Sequence, residues 1–134
     1  MPDTFPTPRQ VVLDTTDARA LAEFYRALLG WTYPAGQEEV DPGEDWLNLR
    51  NPAGGIGLAF QQVEVLPPSS WPDTTVPQQL HLDMTVTDAA ELASQRDRAL
   101  ALGARLLLDR SDDPDEPLYV LGDPSGHPFC IFVG

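Results

Sequence analysis

The chain has no lysine, only one cysteine (Cys130) and no apolar run of membrane-spanning length. Each scarcity excludes something. One cysteine cannot form an intrachain disulfide, and it argues against a zinc site built on thiolates. Without a stretch of ~18–20 apolar residues, no transmembrane helix is expected. The first ten residues, Met1-Pro-Asp-Thr-Phe-Pro-Thr-Pro-Arg-Gln10, lack both a basic start and an apolar stretch. No secretory signal is therefore expected, and the expected location is the cytoplasm. Positive charge is also scarce: 8 bases, all arginine, oppose 21 acids, for a formal net charge of −13. A field of that sign repels phosphate backbones and anionic lipid, so neither nucleic acid nor membrane is expected as a partner. It suits a cationic ligand, or serves solubility alone. What remains is ordinary for one soluble domain: 134 residues, 42% hydrophobic and 22% charged.

An internal repeat organises the chain. Thr16-Asp-Ala-Arg-Ala-Leu-Ala22 recurs as Thr87-Asp-Ala-Ala-Glu-Leu-Ala93, identical at five of seven positions at an offset of 71. Asp41-Pro-Gly-Glu44 matches Asp113-Pro-Asp-Glu116, Asn51-Pro-Ala-Gly54 matches Asp123-Pro-Ser-Gly126, and Phe60 matches Phe132, all at 72. Two modules follow, about residues 10–63 and 79–133, within one domain covering 1–134. A linker over 64–78 separates them, marked by Pro67-Pro68, Pro72 and Pro77, which remove backbone donors. Each module has the same pattern. Gln10 to Asp14 is a strand, and Thr16 or Asp17 can cap a helix whose Leu21, Tyr25, Leu28 and Leu29 share a face. Gly30 suits the helix end. Trp31–Tyr33, Trp46–Arg50 and Gly57–Val63 are expected strands. In the second module a strand over 79–86 and a helix over 88–102 precede strands near 104–108, 118–121 and 129–133. The fold class is thus α+β, two βαβββ modules forming a curved mixed sheet with a central cavity.

The clearest period-2 signal is Leu80-His81-Leu82-Asp83-Met84-Thr85-Val86-Thr87. Its apolar members belong against a helix, and His81 and Asp83 belong on the polar side. An unpaired polar group in a dry core costs ~1–3 kcal/mol, so that side faces water or a pocket. Gln10 lies 71 residues before His81 and shares its place in the repeat.

Paired βαβββ units, Phe24-Tyr25 followed by Leu28-Leu29-Gly30-Trp31, and the Asp123-Pro-Ser-Gly126 turn resemble the glyoxalase/bleomycin-resistance/extradiol-dioxygenase (vicinal oxygen chelate) superfamily. The strand bearing His81-Leu-Asp83 is most similar to its glyoxalase-like branch. In metal-dependent members, four inward residues on the first and last strands hold a divalent cation, with His or Gln on the first and Glu on the last. Carried over, those positions are Gln10, His81, Cys130 and, through the repeat offset, Leu58; a slip of one residue puts Ala59 in place of Leu58. Both glutamates are missing. A hard cation lacks the anionic oxygens that offset its dehydration, so no metal ligands and no cofactor are assigned.

The resemblance implies a protein that binds a small organic molecule, a cationic one being favoured by the charge, and forms a homodimer. Gln10, Trp46, Asn48, Leu58, Phe60, His81 and Cys130 are the expected ligand-binding residues. The alternatives are a metal-dependent lyase, isomerase or dioxygenase, or a metal-free enzyme with His81 and Asp83 as its acid–base pair. Each residue also has a plain structural role open to it: His81 and Asp83 as a strand ion pair, Cys130 as a small core residue, Trp46 and Phe60 as packing. Trp71, in the linker, is expected at a subunit interface or over a core edge.

Overall fold

The computed structural model describes residues 4–134. The chain is α+β with two βαβββ-like modules. It divides into two compact units, one ending at Glu64 and the other spanning Val65–Gly134.

The first unit holds β1 (Gln10–Thr15), α1 (Ala18–Leu29), β2 (Trp46–Leu49) and β3 (Gly57–Gln62). The strand order is β1-β3-β2, with β1 parallel and β2 antiparallel to β3. Asp17 caps α1 by accepting from the Ala20 N–H at 3.0 Å, and Gly30 ends it in the left-handed region at φ 70°. The buried face of α1 includes Leu21, Tyr25 and Leu28. Tyr25 stacks on Phe60 of β3, with ring centroids 5.9 Å apart. The strand expected over Trp31–Tyr33 is reduced to a single bridge between Thr32 and Arg50. Pro34 follows it and supplies no N–H to extend a ladder.

Arg19 of α1 ties down the long 31–45 connection. Its guanidinium donates to both carboxylate oxygens of Glu44 (2.9 and 2.8 Å) and to the carbonyls of Gln37 (2.9 Å) and Glu39 (3.0 Å). It also lies 4.9 Å from the centre of the Tyr33 ring. Arg19, and next the Asp41 N–H, hold the Glu44 carboxyl below the usual carboxylate range. The contribution to stability is therefore present above the unfolded carboxylate pKa and is lost as pH falls through the lower, folded value. Arg19→Ala is expected to cost about 2 kcal/mol, because it removes a two-pronged ion pair and two carbonyl contacts and leaves the Glu44 carboxylate with only the Asp41 N–H. Urea denaturation at neutral and acid pH checks both parts: the difference between wild type and variant should narrow on acidification.

The second unit holds β4 (Leu82–Val86), α2 (Ala89–Leu102), β5 (Arg105–Arg110), β6 (Leu118–Gly122) and β7 (Pro128–Val133), in the order β4-β7-β6-β5. β4 runs parallel to β7, and the other pairs are antiparallel. Asp88 caps α2 through the Glu91 N–H at 2.8 Å. β4 begins at Leu82 rather than Gln79, since its partner β7 opens with Pro128, which has no N–H to donate. A register shift between Leu106 and Leu108 leaves Leu107 bulged, and its side chain fills the space above Gly122, where an added Cβ would meet it at 3.6 Å. Phe129, Leu121, Leu92 and Ala99 are buried core residues of this unit. The proline-rich 65–78 segment belongs to the same unit: Pro68 lies against Gly126, and Trp71 packs on a cluster of Leu118, Val120 and Cys130. Among the described residues, no helix is long and apolar enough to cross a membrane.

Candidate functional site

Strand register decides which side chains share a face. In the first unit, Val12 pairs with Ala59, and Asn48 pairs with the same residue from the other side. Gln10, Asn48 and Trp46 therefore lie on the sheet face turned away from α1. They form a chain of hydrogen bonds: Trp46 Nε1 donates to Asn48 Oδ1 (3.1 Å), and Asn48 Nδ2 donates to Gln10 Oε1 (2.9 Å). Gln37, from the connection that Arg19 holds, accepts from the Asn48 backbone N–H at 2.8 Å. Neither its offset nor its neighbours marked Gln37 beforehand.

Leu58 and Phe60 correct the sequence expectation. They pair with Leu49 and Leu47 on the opposite, helix-facing side, and both are buried. Phe60 is stacked on Tyr25, so the place on the open face belongs to Ala59. Gly54-Gly55 carries one residue more than the corresponding turn of the second unit, which shifts the offset from 72 in the turn to 71 in the strand.

In the second unit, Asp83 pairs with Cys130, and both lie on the face turned away from α2. His81 precedes β4 and joins them: its Nε2 lies 3.2 Å from Asp83 Oδ1, and its Nδ1 lies 3.0 Å from Gln78 Oε1. The ring of Trp71 runs parallel to that of His81, with centroids 6.2 Å apart. Trp71 thus forms an aromatic wall beside an exposed carboxylate, a role no local pattern in the proline-rich stretch announced. Burial first, and then the charge and hydrogen bonding of Asp83, push the Cys130 thiol up to about 11, so it stays protonated at neutral pH. It is a poor nucleophile in that state.

One donor atom from each of His81, Asp83 and Cys130 lies within 4.8 Å of the others. The four-residue metal constellation of the superfamily is nonetheless degenerate. Ala59 and Leu58 offer no donor, and the Gln10 amide oxygen already accepts from Asn48. The nitrogen, oxygen and sulfur donors that remain come from one unit and suit a borderline ion better than a hard one.

A family model described as glyoxalase-like domain matches residues 10–132. A glyoxalase/bleomycin resistance protein/dioxygenase family enzyme from Burkholderia phytofirmans is similar in structure, with a TM-score of 0.72 at 18% identity over 96% of this chain and 98% of that one. A glyoxalase-related enzyme from Fulvimarina pelagi gives 0.70 at 21% identity, covering 97% and 89%. A fosfomycin resistance protein from Mesorhizobium loti gives 0.66 at 15%, covering 100% and 94%. No curated protein sequence matches significantly. The structural likenesses establish the fold, which in itself is compatible with many chemistries. With the family model spanning nearly its whole length, the chain belongs to the glyoxalase-like domain family of the vicinal oxygen chelate superfamily.

Proposed function

We propose that this protein binds a small cationic organic molecule with an aromatic part, and that binding does not run through the superfamily's usual divalent cation. The observation that carries this is the juxtaposition on the open face of the second sheet: the Trp71 and His81 rings lie parallel, beside the Asp83 carboxylate. An aromatic face attracts a cation through its quadrupole, by ~0.5–2 kcal/mol depending on desolvation. The carboxylate adds a charge-assisted partner. Cys130, Leu118 and Val120 supply the apolar floor that such sites use for contact area. A net charge of −13 favours the encounter. The family resemblance adds a homodimer to this reading, which light scattering on the purified protein checks.

The experiment is a thermal-shift panel of aromatic amines and cationic glycopeptides. A ligand at 100 times its Kd should stabilise the protein by about 2.7 kcal/mol. Asp83→Asn and Trp71→Ala should each remove most of that shift. Silence from every compound on the panel would end the proposal.

The second reading is a metal-dependent lyase, isomerase or dioxygenase. The 4.8 Å grouping of His81, Asp83 and Cys130 supports it. Elemental analysis of untagged protein separates the two: stoichiometric zinc, nickel, iron or manganese that Asp83→Asn loses would favour the metal.

A further inference from the structure

The eight arginines are the whole positive charge of a chain with 21 acids, so most should find a carboxylate. Arg19, Arg26, Arg96 and Arg110 do, and Arg98 donates to Gln95. Among the described residues, three arginines show neither an ion pair nor a guanidinium hydrogen bond; Arg105 stands alone at the start of β5, whereas Arg9 and Arg50 come together. Both line one cleft of the first unit, of about 480 Å³. The two guanidinium groups thus share a cleft in which no carboxylate of the protein answers them, and they are free to take an anion from solution.

The local sequence keeps that cleft open. Arg9 immediately precedes β1, and Arg50 follows β2, where its backbone pairs with Thr32. Gly57 of β3 lies between the two outer strands, in register with Gln10. A Cβ at Gly57 would meet the Leu49 carbonyl oxygen at 2.5 Å, so glycine alone allows this approach, and no side chain rises from the strand into the cleft. The amide side chains of Gln10, Gln37 and Asn48 line the same cleft and contribute no charge of either sign. The lining thus presents two guanidinium groups and neutral hydrogen-bonding groups, without a carboxylate.

We infer that this cleft binds a small organic acid, with its carboxylate on Arg9 and Arg50 and its polar remainder on the amides. Guanidinium matches a carboxylate in planar, two-pronged geometry. An organic acid is favoured over inorganic phosphate, because its polar remainder reaches the amides of Gln10, Gln37 and Asn48, where phosphate has nothing to place. The inference is independent of the cation site at Trp71 and Asp83, which belongs to the second unit.

Titration of 15N-labelled full-length protein with succinate, and separately with inorganic phosphate, tests it. Succinate should produce saturable shifts at the amides of Arg9, Arg50, Gly55 and Gly57, weakening as salt is added. Arg9→Gln and Arg50→Gln should each weaken binding about tenfold or more, and the double variant should abolish it. Both side chains are exposed, so unchanged amide spectra elsewhere will show that the variants fold. Asp83→Asn should leave succinate binding intact, which separates failure here from failure of the cation site. Absence of saturable succinate shifts, indifference to both arginine substitutions, or a response to phosphate alone would overturn the assignment.

Discussion

Phe60→Ala is expected to remove about 3–5 kcal/mol of folding stability, whereas Trp46→Ala, on the neighbouring strand β2 and on the other face, should cost about 1 kcal/mol. Phe60 is wholly buried and stacked on Tyr25, between the central strand and α1. Deleting its ring loses the transfer free energy of the side chain and leaves a cavity that β1 and β2, hydrogen-bonded on either side, cannot collapse to fill. Trp46 is 38% exposed and loses mainly the hydrogen bond to Asn48. Since a domain of this size has only about 5–15 kcal/mol in hand, the first change takes a large part of it. In urea, the midpoint should fall steeply for Phe60→Ala at unchanged slope. The ligand assays divide the other way: Trp46→Ala disturbs the Asn48–Gln10 network on the open face, and Phe60→Ala has no group there to lose. A near-neutral Phe60→Ala would mean that this ring does not lie in the core.

The placement of Phe60 shows how far the sequence was legible. The repeat, the cap at Asp17, the left-handed Gly30 and the alternation in β4 are local signals, set by backbone hydrogen bonding and side-chain period, and they appear in the fold as expected. Turn motifs are also local, and Asn51–Gly54 does correspond to Asp123–Gly126 at 72. The error lay in carrying that offset through the turn into the strand. One extra residue at Gly54-Gly55 turns every side chain of β3 to the opposite face, because the period of a strand is two. No local pattern reveals such a slip; the parallel pairing of β1 with β3, which is non-local, does. Trp71 packs over a core edge, one of the two places expected for it, but its position beside His81 was illegible for a related reason. A proline-rich stretch without periodicity gives no direction for its side chains, and its position beside His81 follows from tertiary contact alone. By contrast, His81, Asp83 and Cys130 needed only alternation and an unslipped turn to be placed on one face.

Gly126→Ala should destabilise the protein by about 3 kcal/mol, against about 1 kcal/mol for Gly54→Ala at the matching turn of the first unit. The two glycines share a left-handed backbone, with φ at 92° and 89°, so both variants bear the strain of a Cβ in that region. They differ in what the new methyl meets. Nothing lies within 4 Å at Gly54, whereas at Gly126 the methyl would stand 2.3 Å from Pro68 Cβ and 2.8 Å from Pro68 Cα. A proline ring and its own backbone cannot rotate aside as a flexible side chain can, so the segment must lift from the β6–β7 turn. Trp71 lies three residues along that segment, and its packing on Cys130, Leu118 and Val120 depends on the segment staying down. Denaturation of the two variants in parallel isolates the steric part, since the strain common to both cancels in the difference. The functional consequence is coupled to it: Gly126→Ala should also weaken aromatic-amine binding, by displacing the wall beside His81, while Gly54→Ala leaves it unchanged. Equal stabilities for the two variants would show that Pro68 does not hold the segment against the turn, and the aromatic wall would lose its support in the fold.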